Sequence, residues 1–250
     1  MKVVIPVKPL GQAKVRLSAI LCPEERKRLA LCMLEDVLGA LLLATEVAEV
    51  YIVYSTAAED REVKDLADRF GVQLIDDRAG NLNGAVKLAG AQLVAEGAEG
   101  MLVFPADVPQ VTAAAIDELI RQHRTARQGK LAVNLVPAEA DGGTNALILS
   151  PPDVLTPVFG ENSCEHFIQQ ARRKGLETGV FSSEEIALDI DRPDDLLRLQ
   201  ALLKRADRKI KRMQPIKTQC YLEQIGVFER LSETRRLSRE LSKQLTGEVG

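Results

Sequence analysis

Short apolar runs alternate with stretches of helical periodicity along most of the chain. The run KVVIPV near the N-terminus has no solvent-facing polar alternation, which is typical of a strand buried on both faces. Similar runs follow at VYIVYS, VQLID, GMLVFPAD, LAVNLVPA and TNALILS, and amphipathic stretches separate most of them. Strands that alternate with helices in this way predict an α/β fold, a three-layer sandwich with a mostly parallel central sheet.

The last part of the chain differs in composition. KRADRKIKRMQPIK is basic, and CYLEQIGVFERLSETRRLSRELSKQL is a polar, amphipathic helical pattern. We therefore predict a main domain over residues 1–205 and a helical C-terminal extension over residues 206–250. We expect the extension to be a solvated appendage outside the sheet. Contact with an anionic partner and a role in a dimer interface are the alternatives.

Composition argues against several classes of partner. The formal net charge is -3, aromatic residues make up 4% and tryptophan is absent, so we expect no nucleic acid partner. The four cysteines are scattered without a CxxC pair, which favours free thiols in a reducing compartment. The sequence shows neither a signal peptide nor an apolar run of membrane-spanning length, so a cytoplasmic protein without a membrane partner is expected.

Several common catalytic and cofactor motifs are missing. The sequence contains neither a GxxxxGK[ST] phosphate loop nor a GxGxxG after a predicted strand. Its two histidines, His123 and His166, belong to no Ser/His/Asp or Cys/His pattern, and we expect both to be structural or surface residues. The chemistry of this chain is therefore predicted to need no histidine base.

Three aspartates follow predicted strands. Asp107 ends GMLVFPAD, and Asp189 and Asp191 are two residues apart in LDID, which we expect to be an apolar strand with both side chains on one face. Three carboxylates at one sheet edge would form a hard-oxygen site suited to Mg²⁺ bound to phosphates. The alternative is that Asp191 or Asp194 caps the helix that starts at DLLRLQALL.

A cationic loop follows the first strand. The stretch PVKPLGQAKVRLS contains Lys8, Lys14 and Arg16 at the edge where a parallel sheet binds ligands. Cations at this position suit a triphosphate, because they offset the charge that develops on phosphate oxygens. An ordinary solvated loop is the alternative.

Two further polar stretches are predicted at the same edge. Gly142 and Gly143 precede Thr144 and Asn145 at the start of TNALILS, where the backbone can approach a ligand closely. FGENSCEH begins a helix whose backbone N–H groups, with the hydroxyl of Ser163, would accept a phosphate. A simple N-cap by Asn162 or Ser163 is the alternative.

Together these motifs resemble a known family. IPVKPLGQAKVRLS, FPADVP, ADGGTNALIL, FGENSCEH and LDIDRPDDL, in this order, are similar to the guanylyltransferases that make the activated phospho-acid of the deazaflavin coenzyme, factor 420. The resemblance covers roughly residues 1–205. It implies a Rossmann-like, GT-A-like nucleotidyltransferase fold and, by family habit, is consistent with a homodimer.

The resemblance also implies a reaction and its residues. GMP would pass from GTP to 2-phospho-L-lactate, phosphoenolpyruvate or 3-phospho-D-glycerate, with release of pyrophosphate. Mg²⁺, expected as two ions, would be held by Asp107, Asp189 and Asp191. The residues expected to act in catalysis are Asp107, Lys14 and Lys8. The phospho-acid would contact Gly143, Thr144, Gly160 and Ser163. GTP would contact Lys8, Lys14, Arg16 and Asn83.

Two alternatives to this function remain at the level of sequence. A sugar-phosphate or molybdopterin-type nucleotidyltransferase usually carries a glycine-rich LxGGxxxRM loop after the first strand, whereas the loop here has only Gly11. The second alternative is a non-catalytic, nucleotide-binding regulatory protein on the same fold.

Overall fold

A single seven-stranded sheet forms the centre of the protein. The computed structural model describes residues 1–55, 60–78, 80–127, 132–139, 142–209, 216–233 and 236. The strands lie in the order β3-β2-β1-β4-β6-β5-β7. They are β1 (Lys2–Val7), β2 (Glu49–Tyr54), β3 (Gln73–Asp76), β4 (Met101–Val103), β5 (Ala132–Pro137), β6 (Thr144–Ser150) and β7 (Glu177–Val180). The predicted α/β fold is confirmed.

Strand β6 runs against its neighbours. Strands β1 to β4 pair in parallel, whereas β6 is antiparallel to both β4 and β5, and β5 pairs in parallel with β7. Because β6 is reversed, its first residue, Thr144, lies at the edge where β1 and β4 end. This reversal brings the start of one strand to the ligand-binding edge of the sheet.

Helices cover both faces of the sheet. They are α1 (Pro23–Leu43), α2 (Arg61–Phe70), α3 (Leu82–Ala95), α4 (Ala113–Arg127), α5 (Ser163–Arg173), α6 (Glu184–Ala187), α7 (Pro193–Lys209) and α8 (Lys217–Gln224). Val3 and Ile5 of β1 pack in an apolar cluster with α1, α2 and α4, whereas Val4 packs in a second cluster with α3 and α5. Burial on both faces explains why β1 shows no polar alternation.

One local prediction is wrong, and two local features were not anticipated. The segment 188–191, predicted to be a strand, is extended but belongs to no strand; the N–H of Ile190 donates a single hydrogen bond to the carbonyl of Asp107, at 3.1 Å. Strand β7 was not anticipated, because ETGV is short and mostly exposed. The loop after β1 contains two short 3-10 turns, Leu10–Gln12 and Val15–Leu17.

The described part of the C-terminal extension is packed rather than solvated. It lies outside the sheet, where α8 and the helical residues 227–233 contact α1. Their buried side chains belong to a third apolar cluster: Leu17, Leu21, Leu29, Met33, Leu188, Ile190, Leu196, Leu199, Leu203, Leu222, Val227 and Leu231. Residues 234, 235 and 237–250 lie outside the described residues, and the boundary at residue 205 stays a prediction. Within the described residues no helix is long and apolar enough to cross a membrane.

A carboxylate on α1 anchors the start of α8. Asp36 accepts hydrogen bonds from the backbone N–H groups of Lys217 and Thr218, both at 2.8 Å. The first N–H groups of a helix have no partner within the helix, so a carboxylate from another element acts as its cap.

We expect Asp36→Ala to lower the free energy of unfolding by about 1 kcal/mol, the usual effect of losing a helix cap. Urea unfolding followed by circular dichroism measures the change. Asp65→Ala, on an exposed position of α2, is the matched control. Equal unfolding midpoints for the two variants would contradict the capping role.

Candidate active site

Three carboxylates converge at the carboxyl edge of the sheet. Asp107 follows β4, and Asp189 and Asp191 lie in the extended segment between α6 and α7. One oxygen from each lies within 4.8 Å of the others. Three carboxylate oxygens at this spacing are the hard ligands that Mg²⁺ and other divalent cations prefer, so the residues present fit a divalent metal.

Buried contacts hold these segments together. Gln110, which is fully buried, donates from its Nε2 to the carbonyls of Leu188, at 2.6 Å, and Glu185, at 2.8 Å. The backbone hydrogen bond between Ile190 and Asp107 joins the same two segments. Gln110 was not predicted as a site residue. A buried amide must find hydrogen-bond partners, and the burial of Gln110 is seen only in the structure.

Lys14 lies between two of the carboxylates. Its ammonium contacts Asp107 and lies 2.8 Å from Asp191 Oδ1, and only 8% of its side chain is exposed. Burial lowers the pKa of Lys14, but the two carboxylates outweigh burial, and the pKa is raised overall. Two like charges ~4 Å apart repel by about 4 kcal/mol at the effective dielectric of a protein surface, so a cation here is needed to keep the carboxylates together.

The other two cations of the loop lie further out. The guanidinium of Arg16 is 3.3 Å from Asp191 Oδ2 and is largely exposed. Lys8 is exposed, and its charge still acts on Asp191. Burial raises the pKa of Asp191, yet Lys14, Arg16 and Lys8 together hold it below its ordinary value. The structure thus brings all three predicted loop cations to the carboxylates.

Asp189 has a different environment. Burial and the neighbouring charge of Asp107 raise its pKa to about 6, while a hydrogen bond from Asn145 Nδ2, at 3.3 Å, opposes the shift. Lys14 contacts the other two carboxylates and not this one. Asp189 is therefore the carboxylate that the nearby cations neutralise least.

The helix cap proposed as an alternative role belongs to another residue. Asp195 accepts hydrogen bonds at the start of α7 from the N–H groups of Asp191, at 3.0 Å, and Arg192, at 2.7 Å. The carboxylate of Asp191 instead contacts Lys14 and Arg16. The alternative that Asp191 caps this helix is wrong, because the N–H groups at the helix start donate to Asp195, in the first turn of α7.

A bulge at the start of β6 sets the directions of two side chains. The pairing with β5 shifts between Val136 and Pro137, which makes Asn145 an additional residue in β6. A bulge changes the face to which the preceding residues point. Asn145 therefore reaches Asp189 and the carbonyl of Ile186, at 2.9 Å, whereas Thr144 reaches α5. The contact of Asn145 with Asp189 was also not predicted. The feature of the sequence that could have indicated it is an amide side chain at the start of an apolar run.

The glycines before β6 join this strand to α5. Gly142 adopts φ +68°, and a Cβ there would lie 3.0 Å from Asn162 Oδ1, so both conformation and space favour glycine. Its carbonyl accepts the N–H of Cys164, at 3.2 Å. Next to this junction, the hydroxyls of Thr144 and Ser163 lie 2.9 Å apart.

The start of α5 offers fewer backbone donors than expected. The N–H of Ser163 donates to the carbonyl of Gly160, at 3.2 Å, and that of Cys164 is taken by Gly142. Asn162 is the N-cap residue but makes no capping hydrogen bond with its side chain. Ser163 is fully buried, whereas Thr144 is partly exposed and Gly160 is exposed. Thr144 is therefore the more exposed member of the hydroxyl pair, with Ser163 behind it.

Backbone strain concentrates at this edge. Among the described residues, the non-glycine residues with positive φ are Lys14, at 54°, and Asn162, at 56°. One adjoins the carboxylates and the other adjoins the hydroxyl pair. Such conformations cost about 1–3 kcal/mol each and persist where the surrounding structure enforces them, which is common at binding sites.

Two predicted site residues make hydrogen bonds that hold neighbouring backbone segments. Asn83 accepts the N–H of Phe159, at 2.7 Å, and donates to its carbonyl, at 3.3 Å. Asn83 thus holds the loop that leads to Gly160, and its contact with a nucleoside stays a prediction. The carbonyl of Gly143, a buried residue, accepts the N–H of Ala138, at 2.9 Å.

The structure also brings a serine, a histidine and an asparagine together at the opposite edge. His123 lies 2.9 Å from Ser150 Oγ through Nε2 and 2.8 Å from Asn134 Nδ2 through Nδ1. Asn134 accepts from the N–H of Gly179 with its Oδ1, so its Nδ2 must donate to His123. Nε2 then carries the proton and cannot accept one from Ser150, which excludes nucleophilic activation of this serine.

The fold is shared with solved nucleotidyltransferases. A Desulfovibrio desulfuricans G20 protein assigned as a nucleotide-diphospho-sugar transferase matches with a TM-score of 0.72 at 16% identity, over 93% of this chain and 96% of that chain. A 4-diphosphocytidyl-2C-methyl-D-erythritol synthase matches with a TM-score of 0.56 at 19% identity, over 81% and 98%. At sequence identities this low, the structural likeness establishes the fold alone. The charges at the sheet edge agree with the nucleotidyltransferase class.

Sequence similarity then identifies the family. Residues 1–244 match the family described as guanylyl transferase CofC like, and the chain belongs to it. The phosphoenolpyruvate guanylyltransferase of Sphaerobacter thermophilus is 37% identical over 196 residues, which are 78% of this chain and 90% of that protein. The 2-phospho-L-lactate guanylyltransferase of Methanocaldococcus jannaschii is 31% identical over 200 residues, 78% and 80% respectively. The resemblance seen in the sequence motifs is confirmed.

We expect Ser150→Ala to leave nucleotidyl transfer unchanged and to lower stability by about 1–3 kcal/mol, because it removes a buried hydrogen-bond partner of His123. Steady-state kinetics and thermal unfolding of the same sample measure both effects. A large fall in kcat with an unchanged unfolding temperature would show that the Ser150–His123 pair takes part in the chemistry.

Proposed function

We propose that the protein transfers GMP from GTP to a three-carbon phospho-acid, with release of pyrophosphate and with dependence on Mg²⁺. Family membership and the meeting of three carboxylates with a buried lysine at the ligand-binding edge support this function. The relative with 37% identity is named for phosphoenolpyruvate, which we therefore propose as the first candidate acceptor, with 2-phospho-L-lactate second. Assembly as a homodimer stays a prediction.

The reaction needs no protein base. An oxygen of the acceptor's phosphate attacks the α-phosphorus of GTP, a new P–O bond forms, and the bond between the α-phosphorus and the bridging oxygen breaks. The electron pair leaves with pyrophosphate. A phosphate monoester has a second pKa of about 6 and is already mostly ionised at neutral pH. The proposal is therefore consistent with an edge at which carboxylates, cations and hydroxyls meet.

The remaining task is to position two anionic substrates and to neutralise their charge. Lys14, Arg16 and Lys8 would face the phosphates of GTP. Asp107, Asp189 and Asp191 would hold Mg²⁺, which in such reactions supplies positive charge to the phosphate oxygens. Because Lys14 already contacts two of these carboxylates, it would keep their spacing while its charge also acts on the triphosphate.

The phospho-acid would bind at the junction of β6 and α5. The hydroxyl of Thr144 would donate a hydrogen bond to the acid. The hydroxyl of Ser163, whose Oγ lies 2.9 Å from Thr144 Oγ1, would orient it from the buried side. The exposed backbone of Gly160 and the turn at Gly143 would border the same space. Thr144 and Asn145 are consecutive, so the acid and the metal carboxylates would be held by neighbouring residues of one strand.

Pyrophosphate release tests the proposed reaction. The full-length protein is assayed with Mg²⁺ and with GTP or ATP against phosphoenolpyruvate, 2-phospho-L-lactate and 3-phospho-D-glycerate. We expect release with GTP and one acid. Asp107→Asn, Asp189→Asn and Asp191→Asn should each lower kcat by about a hundredfold or more with the fold retained, as loss of preorganised charge does elsewhere. Asp153→Asn, at an exposed position after β6, is the matched control.

Two results would contradict the proposal. Near-normal turnover in one of the three aspartate variants would remove that residue from the metal site. No release with any acid, from folded protein that still binds GTP, would favour a different phosphorylated acceptor or the non-catalytic, nucleotide-binding alternative.

We expect Thr144→Val to raise the KM for the phospho-acid by about tenfold or more while the KM for GTP changes little, because a bond to a charged ligand is worth about 1.5–3 kcal/mol. Ser163→Ala should have a smaller effect on the same KM, since its hydroxyl acts through Thr144. Initial rates with one substrate varied at a time measure both constants. A rise confined to the KM for GTP would mean that the two subsites are assigned in the wrong order.

A further inference from the structure

The two segments that carry the charged site residues are supported by buried apolar side chains. In the segment 188–191, Leu188 and Ile190 are 4% and 0% exposed and alternate with the two aspartates. In the loop after β1, Leu17 and Leu21 are buried directly after the cationic residues. All four leucine and isoleucine side chains belong to the third apolar cluster. Asp189, Asp191 and the cationic loop therefore rest on one shared apolar layer, whereas Val108 beside Asp107 belongs to the first cluster.

The C-terminal extension completes this layer. Leu222 of α8, with Val227 and Leu231 of the helical residues 227–233, belongs to the same cluster and is buried. The rest of the layer comes from α1 and α7. Helix α8 and the helical residues 227–233 are therefore packed directly behind the segment 188–191 and the cationic loop.

Polar contacts fix the extension to the loop and to α1. Arg230 donates to the carbonyl of Ile20, at 3.3 Å, and to Glu25 Oε2, at 3.0 Å. Tyr221 donates its hydroxyl to the carbonyl of Glu25, at 3.3 Å. Ile20 lies in the loop that carries Lys14, and Asp36 caps α8. Both α8 and the helical residues 227–233 are thus fixed by polar contacts.

We infer that the described part of the C-terminal extension, α8 with residues 227–233, is a positioning element for Asp189, Asp191 and the cationic loop. This inference rests on the proposed function. Carboxylates that repel one another keep a fixed spacing only where the side chains beneath them are firmly packed. Substituting a residue that supports a metal ligand commonly lowers the metal affinity by about 10–100-fold. The phospho-acid side rests on the second cluster instead, with Phe167 of α5. Loosening the extension therefore affects metal binding and kcat rather than the acid.

Leu222→Ala in the full-length chain tests this inference, with Leu93→Ala as the matched control. Both leucines are fully buried, but Leu93 lies in the second cluster on α3. Binding of Mn²⁺ alone is followed by electron paramagnetic resonance, at a temperature where circular dichroism shows both variants folded. We expect Leu222→Ala to weaken Mn²⁺ binding by about tenfold. It should lower kcat with Mg²⁺ as well, with the KM for the phospho-acid unchanged. Leu93→Ala should retain the Mn²⁺ affinity of the unaltered protein.

A second pair of variants avoids a buried cavity. Arg230→Met removes the contacts with Ile20 and Glu25 but keeps the apolar stem, so the fold is retained. We expect weaker Mn²⁺ binding in the same direction and of smaller size. Arg121→Met, which loses a single surface contact with Glu118, is its control and should bind Mn²⁺ normally.

The outcomes separate the two proposals. If Leu222→Ala and Arg230→Met bind Mn²⁺ as tightly as the unaltered protein, the positioning role is overturned while the proposed function stands. An equal loss of Mn²⁺ affinity in Leu222→Ala and Leu93→Ala overturns it as well, since any destabilised core would then do the same. If the unaltered protein binds no Mn²⁺ and releases no pyrophosphate, the proposed function fails, and this inference fails with it.

Discussion

The repulsion among three carboxylates is the constraint on which the rest of this structure depends. Their oxygens lie within 4.8 Å of one another, and each pair of charges at such a distance costs about 4 kcal/mol at a moderate dielectric. The fold offsets this cost from several directions. Lys14 neutralises two of the carboxylates, Asn145 donates to the third, and Gln110 holds the segments on which they lie. None of these three supporting residues lies in the same element as another.

The reversed strand β6 explains how the proposed phospho-acid site and the proposed metal site come to share one edge. Parallel strands bring their carboxyl ends to this edge, whereas β6 brings its beginning. The bulge at Asn145 then divides the two sides, because it turns Asn145 towards Asp189 and leaves Thr144 against Ser163. A strand without the additional residue would exchange these directions, since a shift of one residue reverses the face of every side chain that precedes it.

Much of this arrangement could be predicted from sequence, and the limits have physical causes. The fold follows from apolar runs such as KVVIPV, and the three aspartates converge as the sequence predicts, although the segment that carries Asp189 and Asp191 is extended without pairing in the sheet. The alternative that Asp191 caps α7 is wrong, because neighbouring aspartates are chemically alike and only the backbone geometry selects Asp195 as the acceptor. The bulge has no local sequence mark, and the docking of α8 depends on contacts with residues about 180 positions earlier in the chain.

The apolar layers divide the protein in the same way as the proposed chemistry does. The second cluster lies behind α5 and the hydroxyl pair, and the third lies behind Asp189, Asp191 and the cationic loop. Each would hold one of the two reacting partners, and β6 connects them through Thr144 and Asn145. In-line transfer requires the attacking oxygen and the α-phosphorus to be held at a fixed distance, and a small displacement of either partner lowers the rate steeply. A single strand that contacts the hydroxyl pair through Thr144 and Asp189 through Asn145 would help to fix that distance, because neighbouring residues of one strand cannot move apart.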